Sequence, residues 1–473
     1  MILARILLVN PPIPHEIELY STAGFVAPPL GLAYLAAVLE KDGYKVEIFD
    51  LPALNIKLDK FRREVEKRSP DIVGVTATTS TVKAAYETIK VVKQASPETL
   101  TVLGGAHVTF MPERTMIECP YVDVGCIGEG EYTFLELVKT VENEGCLEEV
   151  RGIVYRDRNG LIRRTSPRPY IENLDMLPFP ARHLLPMDKY KVFNKNMVLG
   201  TILTSRGCPF NCIFCSSSLL FGKKFRARSP KNVVDEIEQF QETYRTRYIE
   251  FIDDTFTLDK KRAEEICREI IRRGLDVSWV CSCRVDLISK ELMKLLKKAG
   301  CRMIYFGVES GVQRILNIMR KGIKIEQVFK VIRWAKEVGL ETVASFILGI
   351  PGETMKEALQ TIKFAKKLDP DYAQFSIATP FPGTELYKIA KRDGLLLTED
   401  WSKYTVLKPV MRTKELTVEQ LQKLIKKAYF SFYLRPKTIL RYDIKGHLKD
   451  IVLNSLKNYF LQKFLRKPFT WEL

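Results

Sequence analysis

Val198-Leu199-Gly200-Thr201-Ile202-Leu203-Thr204-Ser205-Arg206-Gly207-Cys208-Pro209-Phe210-Asn211-Cys212-Ile213-Phe214-Cys215 is an apolar run that breaks into a cysteine-rich loop. The run Val198–Thr204 predicts a buried strand, and the glycine and proline that follow predict its end. Further strand-like runs come downstream at Tyr248–Asp253, Ser278–Ser282, Met303–Gly307, Thr342–Leu348 and Tyr372–Ala378. Helical patterns lie between them at Lys231–Tyr244, Asp259–Arg272, Lys290–Lys298, Ile325–Val338 and Met355–Leu368. Strands that alternate with helices pair in parallel. A full barrel of this kind needs about eight units, so this region predicts an open, partial (β/α)6 barrel over 196–408.

Upstream, a second alternation fills residues 1–150. Arg5–Asn10, Lys45–Asp50, Ile72–Ala77, Leu100–Gly104 and Asp123–Ile127 read as strands, with helical segments at Gly31–Asp42 and Thr81–Ala95. The pattern predicts a doubly wound parallel sheet of Rossmann-like type, so the fold class is α/β. Ligands of such sheets bind at the carboxyl ends of the strands. Residues 151–195 carry five prolines and the turn pair Asn159-Gly160, which predicts a small hairpin and then a linker. The remainder, 409–473, predicts a basic, aromatic helical region. Within it Leu448, Val452, Leu456, Tyr459 and Phe460 recur at helical spacing beside Lys449, Lys457 and Lys463.

The 473 residues are 46% hydrophobic and 28% charged, which excludes a disordered or collagen-like chain. No stretch reaches the ~18 apolar residues of a membrane span, and no export signal is evident, so a cytoplasmic location is expected. Lys+Arg 74 against Asp+Glu 57 gives a net charge of +17, which predicts an acidic partner such as a phosphate, nucleic acid or anionic lipid. The basic aromatic tail points to an anionic membrane surface, with a charged helix packed over the barrel as the other reading.

Cys208, Cys212 and Cys215 place three thiolates in one short loop. Thiolates bind soft metals and iron–sulfur clusters, and a fully protein-ligated cluster uses four of them. Three without a fourth leave one iron open to a substrate or cofactor. The other reading is a structural zinc site, but zinc takes about four ligands, usually as spaced pairs, and no second pair stands nearby. Cys281-x-Cys283 is too tight and falls on a predicted strand. The scattered cysteines, Cys119, Cys126 and Cys146 among them, read as small buried hydrophobes.

Cys-x3-Cys-x2-Cys after the first strand of an open barrel, with an aromatic before the last cysteine, resembles the radical S-adenosylmethionine enzymes. The resemblance covers about 197–385. It implies that the three cysteines hold a [4Fe-4S] cluster whose open iron is chelated by S-adenosylmethionine. One electron from the cluster then yields methionine and a 5′-deoxyadenosyl radical, which takes hydrogen from an unreactive carbon. Phe214 is implied beside the adenine, and Glu309 at the amino group or ribose. Gly349 is implied in the adenine-side loop Gly349-Ile350-Pro351-Gly352-Glu353. Asp253 and Asp254 end the second strand and Arg284 the third, where a cofactor contact and an ordinary ion pair are both open. A one-electron reductant such as flavodoxin or ferredoxin is implied as partner.

Two N-terminal loops follow strands: Gly104-Gly105-Ala106-His107-Val108-Thr109 and Gly128-Glu129-Gly130-Glu131. Glycines there let a ligand approach the backbone, and tight turns before helices are the other reading. Together with the barrel they resemble the cobalamin-binding radical S-adenosylmethionine enzymes, including the anaerobic magnesium-protoporphyrin monomethyl ester cyclases and hopanoid methylases. That resemblance implies cobalamin against Gly104, Gly105, His107, Gly128, Glu129, Gly130 and Glu131. The Asp-x-His-x-x-Gly motif is absent, so His107 is not expected to ligate cobalt. The chemistry implied is methylation of an unactivated carbon in a small-molecule or lipid-like substrate, with radical cyclisation or oxidation as the alternative. A tRNA methylthiotransferase and a non-catalytic corrinoid carrier rank below both, and nucleic acid is not the expected partner.

Overall fold

In a computed structural model of the chain, which describes residues 4–13, 26–192, 195–196 and 198–444, the two alternations form two sheets. The first contains β1 (Ile6–Asn10), β2 (Val46–Asp50), β3 (Ile72–Thr76), β4 (Leu100–Gly104), β5 (Val124–Cys126), β6 (Ile153–Arg156) and β7 (Ile162–Arg164), in the order β2-β1-β3-β4-β5-β6-β7. Its first five strands are parallel. β1 shows why. Ile6 and Leu8 enter one apolar cluster with the helices Leu30–Lys41 and Glu131–Glu142, while Leu7 and Val9 enter another with Leu58–Arg68 and Val82–Ala95. A strand buried on both faces needs an unbroken apolar run, and Ile6-Leu7-Leu8-Val9 supplies it.

The Asn159-Gly160 hairpin forms as read, but it does not stand apart. β6 pairs antiparallel with β5 and extends the first sheet. Val150 and Ile153 are fully buried there, so the hairpin is held by the same core. Two short strands follow, β8 (Lys191–Val192) and β9 (Lys195–Asn196).

The second sheet is wholly parallel. It runs β10 (Gly200–Ile202), β13 (Tyr248–Phe251), β14 (Ser278–Cys283), β15 (Cys301–Glu309), β16 (Glu341–Leu348) and β17 (Tyr372–Ile377) in chain order. Between β10 and β13 a small antiparallel pair, β11 (Ser205–Arg206) and β12 (Arg226–Ala227), closes the neck of the cysteine loop. β10 ends earlier than the apolar run suggests. The Thr204 and Ser205 amides donate to the Asp253 carboxylate, at 2.6 and 3.1 Å, rather than to a neighbouring strand. Helices of this half open on a Ser, Thr or Asp whose side chain accepts an early amide, as at Ser229, Asp259, Ser289, Thr354 and Thr384. These caps satisfy the orphan donors of each helix start.

Burial alternates along β14 and β17, with the helix-facing side chains buried and the inner ones partly open. The barrel interior is therefore a lumen and not a packed core. The helix Val418–Tyr433 lies on its β17 edge. Tyr433 Oη accepts from Ala373 N–H at 3.1 Å and donates to Ala373 C=O at 2.7 Å, and Tyr429 does the same for Phe375 at 3.3 and 2.9 Å. Two phenols thus satisfy the edge strand, which otherwise presents unpaired backbone. Tyr433→Phe is expected to lower unfolding stability by about 1–3 kcal/mol, the cost of orphaned buried groups. A denaturant midpoint unchanged from the native chain would contradict this.

That part of the C-terminal region packs on the barrel. The lysine-flanked repeat from Leu448 to Phe460 lies outside the described residues. Among the described residues, no helix is long and apolar enough to cross a membrane.

Candidate functional site

The three cysteines open onto a cavity of about 310 Å³ at the carboxyl end of the second sheet. Their loop is anchored from beneath. Ile213 N–H donates to Met319 C=O at 3.1 Å, and Leu386 N–H donates to Ile213 C=O at 2.8 Å. The Ile213 side chain is buried with Ile315, Met319 and Leu386. A buried apolar plug between Cys212 and Cys215 leaves the flanking sulfurs half-buried and facing the cavity.

Glu309 lines the same cavity as the last residue of β15, in the left-handed region with φ +67°. A non-glycine residue held there costs about 1–3 kcal/mol, and such strain concentrates at functional sites. Lys321 Nζ lies 2.7 Å from Glu309 Oε1, and both side chains are less than a tenth exposed. Gly307 makes room for the pair, since a Cβ there would fall 2.5 Å from Glu309 Oε1 and 2.7 Å from Lys321 Nζ. Arg284 follows β14, donates to Asp286 and to Lys321 C=O, and lies 3.6 Å over the Phe210 ring. Phe214 lines the same cavity, with Lys321 Nζ 5.9 Å from its ring. Burial raises the Cys212 thiol above its ordinary range, while Lys321 and Arg284 pull it back. Burial also raises Cys208.

Asp253, open by sequence between a cofactor contact and an ion pair, takes hydrogen bonds from its own chain. Its carboxylate is buried and accepts from Thr204 and Ser205 as described, so it braces the start of the cysteine loop. Its neighbour Asp254 faces the cavity and accepts from Ser217 Oγ at 2.7 Å. Gly349 does not line the cavity either. Its φ is +84°, and a Cβ would lie 2.4 Å from Leu421, so this glycine admits the helix Val418–Tyr433. Its N–H donates to Glu353 Oε2 at 2.6 Å.

Burial pushes the Glu353 carboxyl up to about 7 from 4.5. The folded chain therefore holds a proton that the unfolded chain releases between those values. Stability from this group is complete below 4.5 and falls as pH rises towards 7, by about 3 kcal/mol in all. Glu353→Gln is expected to remove that slope, measurable as denaturant midpoints of both proteins across pH 5–8. Parallel pH profiles would show that the group does not titrate in this way.

In the N-terminal sheet, Gly104 ends β4 and Gly128 follows β5. Gly128 has φ +80° with open space where a Cβ would stand, and Gly104 would meet only Cys126, at 3.8 Å. That clearance fits a broad ligand. Gly105 is different: φ is +104°, and a Cβ would strike Ala77 O at 2.4 Å, so backbone packing requires this glycine. Gly130 abuts Leu35. His107 is buried, with Nδ1 3.2 Å from Thr79 Oγ1 and its ring 5.2 Å from Trp401. Burial lowers its pKa to about 4, so it is neutral. Glu129 and Glu131 turn their carboxylates to Arg206 and Arg226, at 2.5–3.0 Å, beside the neck of the cysteine loop.

Asp254, a candidate at the end of the second predicted strand, does line the cavity, whereas Lys321 completes the set without any signal in sequence spacing. Lys321 sits in Arg320-Lys321-Gly322, which has the look of a solvated charge run, and only the fold turns it inward. The donor set of three thiols fits an iron–sulfur cluster, and the Glu309–Lys321 pair fits the charged ends of an amino acid. Among the described residues, no three His, Cys, Asp or Glu side chains group to hold a single ion. Cys119 and Cys126 are buried and Cys146 is exposed.

Residues 202–365 match the radical SAM superfamily and residues 19–138 match the B12 binding domain. An uncharacterized methyltransferase of Pyrococcus horikoshii is 47% identical over 96% of this chain and 97% of its own. The anaerobic magnesium-protoporphyrin IX monomethyl ester cyclase of Rubrivivax gelatinosus is 33% identical, over 94% of this chain and 76% of its own. Among solved structures, the cobalamin-dependent S-adenosylmethionine radical enzyme OxsB, with aqua-cobalamin and S-adenosylmethionine bound, shares the fold. It has a TM-score of 0.76 at 18% identity, covering 98% of this chain and 75% of that one.

Proposed function

Because this chain belongs to the cobalamin-binding radical S-adenosylmethionine enzymes, we propose that it methylates an unactivated carbon of a small-molecule or lipid-like substrate. Its cofactors are a [4Fe-4S] cluster, S-adenosylmethionine and cobalamin. The observation that carries the reading is the cavity lined by three thiols and the buried Glu309–Lys321 pair. Cys208, Cys212 and Cys215 would hold the cluster. Glu309 would take the amino group of S-adenosylmethionine and Lys321 its carboxylate, with Phe214 against the adenine. Gly104 and Gly128 would clear space for the corrin. When bound, these groups supply an electron, a hydrogen-abstracting radical and a transferable methyl group.

The chain's own part is to position and to exclude. Arg284 and Lys321 bring positive charge to an anionic centre. The apolar plug around Ile213 keeps water from beneath the loop, and the lumen of β14–β17 leaves room for a substrate. A one-electron donor such as flavodoxin or ferredoxin, and an anionic membrane surface touched by the basic tail, belong to the same proposal.

The test is anaerobic turnover with methyl-labelled S-adenosylmethionine, a strong reductant, and extracts of a strain lacking the protein. Label in a product that is heavier by one methylene is expected. The 33% identity to an ester cyclase favours a second reading, cyclisation or oxidation. Deoxyadenosine formed with unlabelled product that has lost hydrogen or gained oxygen would replace methylation with that reading.

A further inference from the structure

The two glycine loops of the first sheet and the cysteine loop of the second are joined by one continuous set of bonds. Thr109 Oγ1 donates to Gly105 C=O at 2.9 Å and accepts from Gly128 N–H at 3.0 Å. The next residue, Glu129, accepts from three segments at once. Arg206 Nη1 reaches Oε1 at 3.0 Å, Arg226 Nη1 reaches both oxygens at 2.9 and 3.0 Å, and Ile171 N–H reaches Oε2 at 2.7 Å. Glu131 takes the other arm of Arg206 at 2.5 Å. Arg206 and Arg226 face each other in the β11–β12 pair, and Cys208 lies two residues beyond Arg206. All four charged side chains are less than a tenth exposed.

Stability does not explain this arrangement, because a buried ion pair is often matched by apolar side chains of equal volume. Geometry does. Apolar faces slide over one another, whereas directed, charge-assisted bonds from one carboxylate to three segments fix a position. Each strand of the neck contributes an arginine to the same carboxylate, so the neck cannot shift relative to the β5 loop without breaking several bonds together.

We infer that Glu129 is a positioning residue. It sets the register between the N-terminal glycine loops, where the corrin is placed, and the cysteine loop that holds the cluster. The inference rests on both cofactors occupying one chain and not on methyl transfer to any substrate. Its deciding readout, the magnetic interaction between the two cofactors, needs neither substrate nor methyl transfer, so a wrong methylation reading leaves that result intact.

The experiment compares native holoenzyme with Glu129→Gln, purified anaerobically. Iron content is expected to match the native protein. The magnetic interaction between the reduced cluster and cob(II)alamin in frozen solution is expected to weaken or broaden. Labelled methyl transfer from S-adenosylmethionine to the reduced corrinoid is expected to fall ~10²-fold, the scale of a 1 Å misplacement. An unchanged magnetic interaction would overturn the inference. So would loss of iron with corrinoid retained, which would mean that these bonds only fold the loop. Arg206→Lys keeps the charge but loses the fork, and it is expected to show the same split in milder form. If neither variant folds, the role is structural and the inference fails.

Discussion

Cys212→Ala in anaerobically purified protein is expected to lose iron–sulfur absorption and to form no deoxyadenosine above background, a fall of at least ~10⁶-fold in that reaction. The residue is only half-buried. The loop around it is fixed by the Ile213 backbone bonds and by the plug beneath. Folding and far-ultraviolet dichroism should therefore survive while the chemistry goes. Cys281→Ala is the matched control. Cys281 is fully buried on the helix-facing side of β14, its Sγ 3.7 Å from that of Cys283, and burial drives its thiol well above the ordinary range. A protonated thiol of that kind is a small hydrophobe, so its removal should cost some stability and no iron. Equal iron loss in both variants would mean that the three-cysteine loop is not the cluster site.

The contrast between those cysteines shows what a sequence carries by itself. Spacing within one loop is local, so Cys208, Cys212 and Cys215 are legible without a fold. So are the six strands of the second sheet, each reporting its own alternation, and the helices Ile325–Val338 and Met355–Leu368, whose ends coincide with the pattern. Bonds between distant segments leave no such trace. Glu129 and Arg206 are 77 residues apart in the chain, and an acidic residue after a strand looks the same whether it meets a ligand or an arginine. Gly349 is a further case of a distant neighbour. Its glycine is visible, but Leu421, the neighbour that demands it, is supplied by a helix that arrives only at the end of the chain. Tyr429 and Tyr433 look like one aromatic face of a basic helix until β17 is found at the edge of the six-stranded sheet.

The Glu309–Lys321 pair yields the sharpest separation of a binding role from a structural one. Both groups are buried and 2.7 Å apart, so removing either leaves the other charged and unpaired, at a cost of about 3–5 kcal/mol. Glu309→Gln and Lys321→Met should each lower the thermal midpoint. Each should also weaken S-adenosylmethionine binding ~10²-fold or more, since losing one buried charged partner of a ligand costs about 3 kcal/mol. Those single variants alone decide nothing, because a damaged cavity also binds poorly. The double variant does decide. With both charges gone no uncompensated charge remains, and stability should return close to the native value. The strain at φ +67° stays, because Gln is no more at ease there than Glu. If the pair exists to receive the amino and carboxylate ends of the ligand, the double variant stays unable to bind despite its recovered midpoint. If the pair exists only to join β15 to the segment carrying Lys321, affinity returns together with stability. Equilibrium binding of S-adenosylmethionine to the four iron-loaded proteins, set beside their thermal midpoints, separates the two outcomes. Recovery of both quantities in the double variant would remove Glu309 and Lys321 from the cofactor site.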